Sequence, residues 1–399
     1  MFPRLRFKKF DGDWEKTTIG AKSEIVTSGS RDWAQYYSDS GDKFIRMTNL
    51  VRNGINLDLS DLRFVQLPVG SNEGKRTSLE KGDILISITA ELGKLGWIPE
   101  GLGTAYINQH TALVRMKNTL DSKFVAYALS TEKYNNKLNS LNDSGAKAGL
   151  NLGSIRSFEL TIPSKPEQTQ IASFLSVVDE KISQLTQKHQ LLSQYKQGMM
   201  QKLFSQQIRF KADDGSEFGE WEEKELKDIA EINPKSKKLP ESFIYIDLES
   251  VEKGQLLLQK NIELQDAPSR AQRLLAKGDV LFQMVRPYQQ NNYYFNLSGE
   301  YVASTGYAQI RTKLDSKFIY YALHEKTFLD EVMNRCTGTS YPAINSSDLS
   351  SIEILIPCLE EQTKIANFLS SIDKKIEVVA QQIEQAKQWK KGLLQNMFI

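Results

Sequence analysis

Cysteine and histidine are scarce in this chain. Of 399 residues only Cys336 and Cys358 are cysteines, and three are histidines. The two cysteines fit no metal-ligand spacing, which argues against a disulfide framework or a zinc site. No run of about 18 apolar residues occurs, which argues against a membrane span. The N-terminus MFPRLRFKKF has no apolar core of the kind a secretory leader needs, so a cytoplasmic chain is expected. Charge of one sign is also missing. The 51 basic residues nearly balance 49 acidic ones, for a net charge of +2. Such a balance neither demands nor excludes nucleic acid, because a basic groove can hide inside a neutral total.

Catalytic signatures are missing as well. There is no G-x-x-x-x-G-K-[ST] phosphate loop, no G-x-G-x-x-G after a strand, and neither H-E-x-x-H nor G-x-S-x-G. A DNA adenine methylase would carry Asn/Asp-Pro-Pro-aromatic; the only Asn-Pro, Asn233-Pro234, is followed by Lys235. The chain is not expected to be a catalyst. An apolar fraction of 40% and a charged fraction of 25% suit an ordinary globular protein of two or three domains.

What the chain does have is a duplication. EQTQIASFLSVVDEKI from Glu167 returns as EQTKIANFLSSIDKKI from Glu361, 194 residues later. LDSKFVAYAL (Leu120–Leu129) returns as LDSKFIYYAL (Leu314–Leu323), and LEKGDILISI from Leu79 resembles LAKGDVLFQM from Leu275. A tandem repeat of roughly 190 residues is too long for a solenoid, which needs three or more short units.

Each half ends in a helix. Apolar residues alternate by four and three at Ile171, Leu175, Val178, Ile182, Leu185 and Leu192, then at Met199 and Leu203. In the second copy they fall at Ile365, Leu369, Ile372, Ile376, Val379 and Ile383, then at Ala386, Leu393 and Met397. That is a coiled-coil seam over four to five heptads. The prolines Pro163, Pro166 and Pro357 precede the helices, where proline is tolerated. A lone helix cannot bury such a stripe, so the two copies are expected to pair with each other, antiparallel by symmetry. Lys196 and Lys390 share one seam position: either a charged residue sets the register there, or the apolar seam ends. Asp179 and Asp373 read as solvated or partner-facing carboxylates. Gly82-Asp83 and Gly278-Asp279 read as turns before strands.

The remainder of each half alternates in the manner of short strands, at Lys43–Leu50, Gly82–Thr89 and Thr111–Met116 and at their counterparts Ser242–Leu248, Gly278–Val285 and Tyr307–Thr312. Ser122–Leu138 and Ser316–Met333 read as helices. The fold class is therefore α+β: two similar globular mixed α/β domains separated by two long helices that form an antiparallel coiled coil.

Where the halves differ, the differences sit in polar loops. One scaffold carrying two different loop sets suits two recognition surfaces. Arginine and lysine read guanine edges, and asparagine and glutamine read adenine edges. The candidate DNA-contacting residues are Arg46, Thr48, Arg76, Lys94, Asn108, Gln109, His110 and Lys147 in the first domain. In the second they are Arg286, Tyr288, Gln289, Gln290, Asn291, Thr337, Ser340 and Tyr341. Each of them also reads as a solvated loop residue.

The doubled block IP-x-x-x-EQ-x-x-IA-x-FL-x-x-x-D-x-KI, following each of two divergent domains, resembles the specificity subunit of type I restriction–modification systems, over essentially the whole chain. The resemblance implies a target recognition domain at residues 1–161, a helical repeat at 162–210, a second target recognition domain at 211–355 and a second helical repeat at 356–399. It implies that each domain reads half of a split, asymmetric site in double-stranded DNA, with the coiled coil as the ruler. Partners would be two methyltransferase subunits and restriction/translocase subunits. S-adenosylmethionine, ATP and magnesium would act on those partners, with no cofactor or metal bound here and no catalytic residue in this chain. Against it stand a non-catalytic scaffold whose helices bind proteins and whose loops bind no DNA, and a self-contained restriction or modification enzyme.

Overall fold

The computed structural model describes residues 3–89, 91–141, 149–235 and 238–398. It divides into two compact units, one of Met1–Thr186 with Gln381–Ile399 and one of Gln187–Ala380. Helices α1 (Ser122–Ser130), α2 (Lys165–Phe204), α3 (Ser316–Ala322) and α4 (Leu359–Met397) carry the frame. Helices α2 and α4 are 40 and 39 residues long.

In the first unit, strand Glu15–Thr18 pairs antiparallel with Glu159–Ile162, so the chain enters and leaves the domain through one ribbon. Inside lies a four-stranded sheet in the order Ser23–Ser28, Thr111–Met116, Ile84–Ser87, Leu95–Trp97. A second sheet runs Tyr37–Ser38, Arg63–Val65, Asp42–Ile45, Ala105–Ile107, its last pair parallel. Side chains alternate across a strand, and here both faces are covered. Ile84, Ile86, Ala112 and Val114 face a core shared with α1 and α2, while Leu85 and Leu113 face a second core with Ile45 and Ile107. Ile171, Ala172, Leu175 and Val178 of α2 join the first core, as do Leu393, Met397 and Phe398 from the end of the chain.

The second unit repeats this plan. Its ribbon is Glu222–Glu225 with Glu353–Ile356, and its sheets run Ala230–Ile232, Tyr307–Thr312, Val280–Gln283, Tyr293–Tyr294 and Lys260–Glu263, Ser242–Ile246, Tyr301–Ser304, Ala271–Leu274. Ile365, Ala366, Leu369 and Ile372 of α4 pack with Phe318 and Ile319 of α3 and with Leu203 from the end of α2. The start of one long helix thus packs beside the end of the other within each unit, the antiparallel arrangement expected. The seam residues are buried or half-buried. Its outer quarters enter the domain cores instead of facing only the other helix.

One expectation needs correcting. The helix read over Ser122–Leu138 is two helices broken at Thr131, whose backbone is extended and whose hydroxyl accepts from the Tyr134 N–H. The helix read over Ser316–Met333 breaks likewise, and the Glu325 carboxylate caps the second piece. Side-chain caps at these positions outcompete helix continuation.

Leu369→Ala removes a fully buried side chain and should cost about 2–5 kcal/mol in denaturant unfolding. Leu191→Ala, where the side chain is 57% exposed, should stay within about 0.5 kcal/mol.

Candidate nucleic-acid interface

The divergent loops of the second unit converge. Past strand Val280–Gln283 the chain turns through Arg286 and Gln290, both in the left-handed region at φ 54° and 51°. The Arg286 N–H donates to the Pro342 carbonyl at 2.7 Å, and Val285 and Thr337 both bridge to Ala343. The Arg286 guanidinium lies 4.3 Å from the centre of the Tyr341 ring. Two loops far apart in sequence therefore make one surface, with Tyr288, Thr337, Ser340 and Tyr341 exposed on it. The amides of this loop also bond within the unit, although Gln289 remains exposed. Gln289 Oε1 accepts from Gln283 Nε2, the Asn291 N–H donates to Gln283 Oε1, and Asn291 Oδ1 accepts from the Lys253 N–H. Gln290 Nε2 reaches the carbonyl of His324 at 3.4 Å. His324 is itself half-buried, and its desolvation pushes its imidazole below the usual pKa.

In the first unit, Asn108, Gln109 and His110 form the turn between strands Ala105–Ile107 and Thr111–Met116. His110 Nδ1 shares a hydrogen bond of 2.6 Å with the Thr89 hydroxyl, and Nε2 one of 3.0 Å with Gln109. The Gln109 N–H donates to the Ser30 carbonyl and Arg76 to the Ser28 carbonyl, so both attach to one strand end. Lys94 pairs with Glu91. Arg46 follows strand Asp42–Ile45, which pairs in parallel with Ala105–Ile107 and so ends beside the Asn108 turn; Asp61 holds its guanidinium at 2.7 Å, and Thr48 lies in the short turn Met47–Asn49. Lys147 lies outside the described residues.

Behind these loops, the repeated residues form locks. Glu167 receives Nε and Nη2 of Arg6 at 2.7 Å each, and its side chain is 1% exposed. Arg6 also donates to the Gly12 carbonyl, which ties the segment before the ribbon to the first turn of α2. Gln168 accepts from the Asp121 N–H and donates to the Pro163 carbonyl, while the Asp121 carboxylate caps α1 and accepts from Thr169. In the second unit Arg209 clamps Glu361 at 3.1 and 2.7 Å, Trp221 donates to the same carboxylate, and Gln362 joins Asp315 to Pro357. The clamped carboxylates hold the Arg6 and Arg209 guanidinium pKa values up. The Gly-Asp turns also lock. Asp83 accepts from Arg115 and Asp279 from Arg311, each through two bonds of 2.8 Å.

The solvated reading fails for Asp179, whose side chain is 10% exposed; Asp373 keeps 37% exposure, and both are paired within their own unit. Asp179 accepts from the Tyr127 hydroxyl at 2.7 Å and pairs with Lys390 at 2.5 Å. Asp373 accepts from Tyr321 at 2.6 Å and pairs with Lys196 at 2.6 Å. Burial first, then the adjacent carboxylate, pushes both phenols well above their ordinary pKa, so each stays a donor.

A family model for the type I restriction modification DNA specificity domain matches residues 12–194 and again 219–388, one match per repeat. The chain belongs to this family. Among specificity-subunit relatives, the putative type I restriction enzyme MjaX specificity subunit of Methanocaldococcus jannaschii is 27% identical, over 98% of this chain and 94% of that one. The MjaVIII specificity subunit of the same organism is 28% identical over 59% of this chain and 60% of its own length, so this chain spans less than two thirds of that relative. The crystal structure of the S subunit from M. genitalium has the same fold, with a TM-score of 0.65 and 16% identity over 100% of this chain and 99% of that chain. Among the described residues of this family member, no helix is long and apolar enough to cross a membrane.

The sequence reading missed Arg6 and Arg209 because they sit before each domain at unequal offsets from their glutamates. Glu361→Gln takes the carboxylate from the half-buried Arg209 guanidinium and weakens the buried hydrogen bonds of that corner, and should cost about 1–3 kcal/mol in denaturant unfolding. Lys211→Ala, which breaks an exposed pair with Glu217, should change stability by less than about 1 kcal/mol.

Proposed function

We propose that this chain is the non-catalytic specificity subunit of a type I restriction–modification complex and reads a bipartite, asymmetric site in double-stranded DNA with a fixed unread gap. One observation carries the reading: a single scaffold is built twice, with different loops on the same frame. The first domain, residues 1–161, would read one half-site and the second, residues 211–355, the other. Their loops differ, so the half-sites differ. A helix of 40 residues is about 60 Å long, between one and two turns of DNA, which supports a gap of about that span.

Two methyltransferase subunits would dock on the helical repeats. In support of this, equivalent positions carry exposed aromatics: Trp389 is 54% exposed beside Phe174, and Tyr195 is 52% exposed. Two like surfaces suit two copies of one partner. S-adenosylmethionine would be held by those subunits for adenine N6 methylation, and ATP and magnesium by restriction/translocase subunits. This chain would supply targeting, in the cytoplasm where the DNA is.

Co-expression with the partner methyltransferase in a host lacking such systems, followed by sequencing for N6-methyladenine, should show one asymmetric gapped motif. No new methylation from an assembled complex with an active partner would overturn the reading and favour a protein scaffold. Arg286→Ala should relax one base position of one half-site, a loss of about 1–3 kcal/mol in discrimination, and leave the other half-site unchanged. An unaltered motif would remove Arg286 from the reading surface.

A further inference from the structure

The crossed ion pairs do more than satisfy charges. In both, an aspartate of one repeat meets a lysine of the other, and the residue numbers sum to 569 in each case: Asp179 with Lys390, Asp373 with Lys196. A tyrosine from the neighbouring domain caps each pair, with the lysine ammonium 5.7 Å from the Tyr127 ring centre and 5.2 Å from that of Tyr321. The Asp179 and Lys390 side chains are only 10% and 13% exposed.

Between the outer quarters that enter the domain cores, the apolar seam repeats every heptad, so its leucines and isoleucines can find equivalent partners there after a slip of seven residues. The charged residues cannot. After such a slip Asp179 would face Ile383 or Met397, Lys390 would face Ala172 or Thr186, and Lys196 would face Ala366 or Ala380. Asp373 would face His189 or Leu203. A parallel pairing in matched repeat register would be worse, because Asp179 would meet Asp373 and Lys196 would meet Lys390. Half-buried charges left without partners disfavour every one of these alternatives.

We propose that Asp179, Lys390, Asp373 and Lys196, held by Tyr127 and Tyr321, are positioning residues that fix the axial register of α2 against α4 and thereby the length of the unread DNA gap. This rests on the DNA reading above. A one-heptad slip moves the helices by about 10 Å, equivalent to about three base pairs.

The test uses the full chain with its methyltransferase partner and two readouts. Spin labels at Gln184 and Gln395, in a chain whose Cys336 and Cys358 are replaced by serine, report the register directly. N6-methyladenine sequencing reports the gap. The unmodified lock should give one distance and one gap. Lys196→Met with Lys390→Met should give a second distance shifted by about 10 Å and a second gap differing by about three base pairs. An unchanged single distance and single gap would overturn the proposal. If the methionine variant does not fold, Asp179→Lys alone should lose the native distance and gap, and Asp179→Lys with Lys390→Asp should restore both. Loss in both variants would overturn the proposal too. A shifted distance in a chain whose unmodified form methylates nothing would sink the DNA reading while leaving the register lock standing.

Discussion

A buried carboxylate at the first turn of each long helix governs how each domain is mounted. Glu167 and Glu361 are almost wholly removed from water and would be costly alone. Each is made stable by an arginine that arrives from the segment before the domain, so the start of the domain is tied to the helix that follows it. The adjacent glutamine then joins that helix to the N-cap of α1 or α3. With both neck strands paired, the domain is closed at its base and fixed in orientation on its helix. Exchange of the loops above this corner leaves its chemistry untouched.

That separation explains which residues the duplication keeps. The repeated Glu-Gln-Thr, Leu-Asp-Ser-Lys-Phe, Gly-Asp and helix aspartate are the residues that hydrogen-bond across the corner, beneath the sheet and between the helices. The loops around Thr89 and His110, and around Arg286 and Tyr341, have no part in these bonds and diverge freely. A frame held by charge-assisted bonds, carrying loops that need only close on themselves, is a physical basis for two different loop surfaces on one architecture.

Much of this was legible in the sequence. The two helices announced themselves through the four–three spacing from Ile171 and Ile365, and the strands around Ile84 and Leu281 through alternating segments that open on Gly-Asp turns. The antiparallel pairing was suggested by the symmetry of the duplication and implied by the family resemblance. The cross-pairs were hidden because aligning the repeats sets Asp179 beside Asp373, whereas the folded chain sets it beside Lys390. The break at Thr131 was hidden because a hydroxyl cap, not a glycine or proline, makes it. Among the candidate interface residues, sequence gave type but not commitment. Gln289, Gln290 and Asn291 look like base readers in the chain, yet make hydrogen bonds within the domain. Tyr288 and Tyr341 are exposed, as is Gln289.

The most direct test of the central claim, that the two domains read independently on one frame, is to replace the first domain by a second copy of residues 211–355 and map the methylation directed by the resulting chain with its partner. The account predicts a symmetric motif in which the second half-site occurs twice, inverted, around an unchanged gap. Retention of the original asymmetric motif would contradict it, as would a properly assembled complex that methylates only one half-site's sequence without any gap.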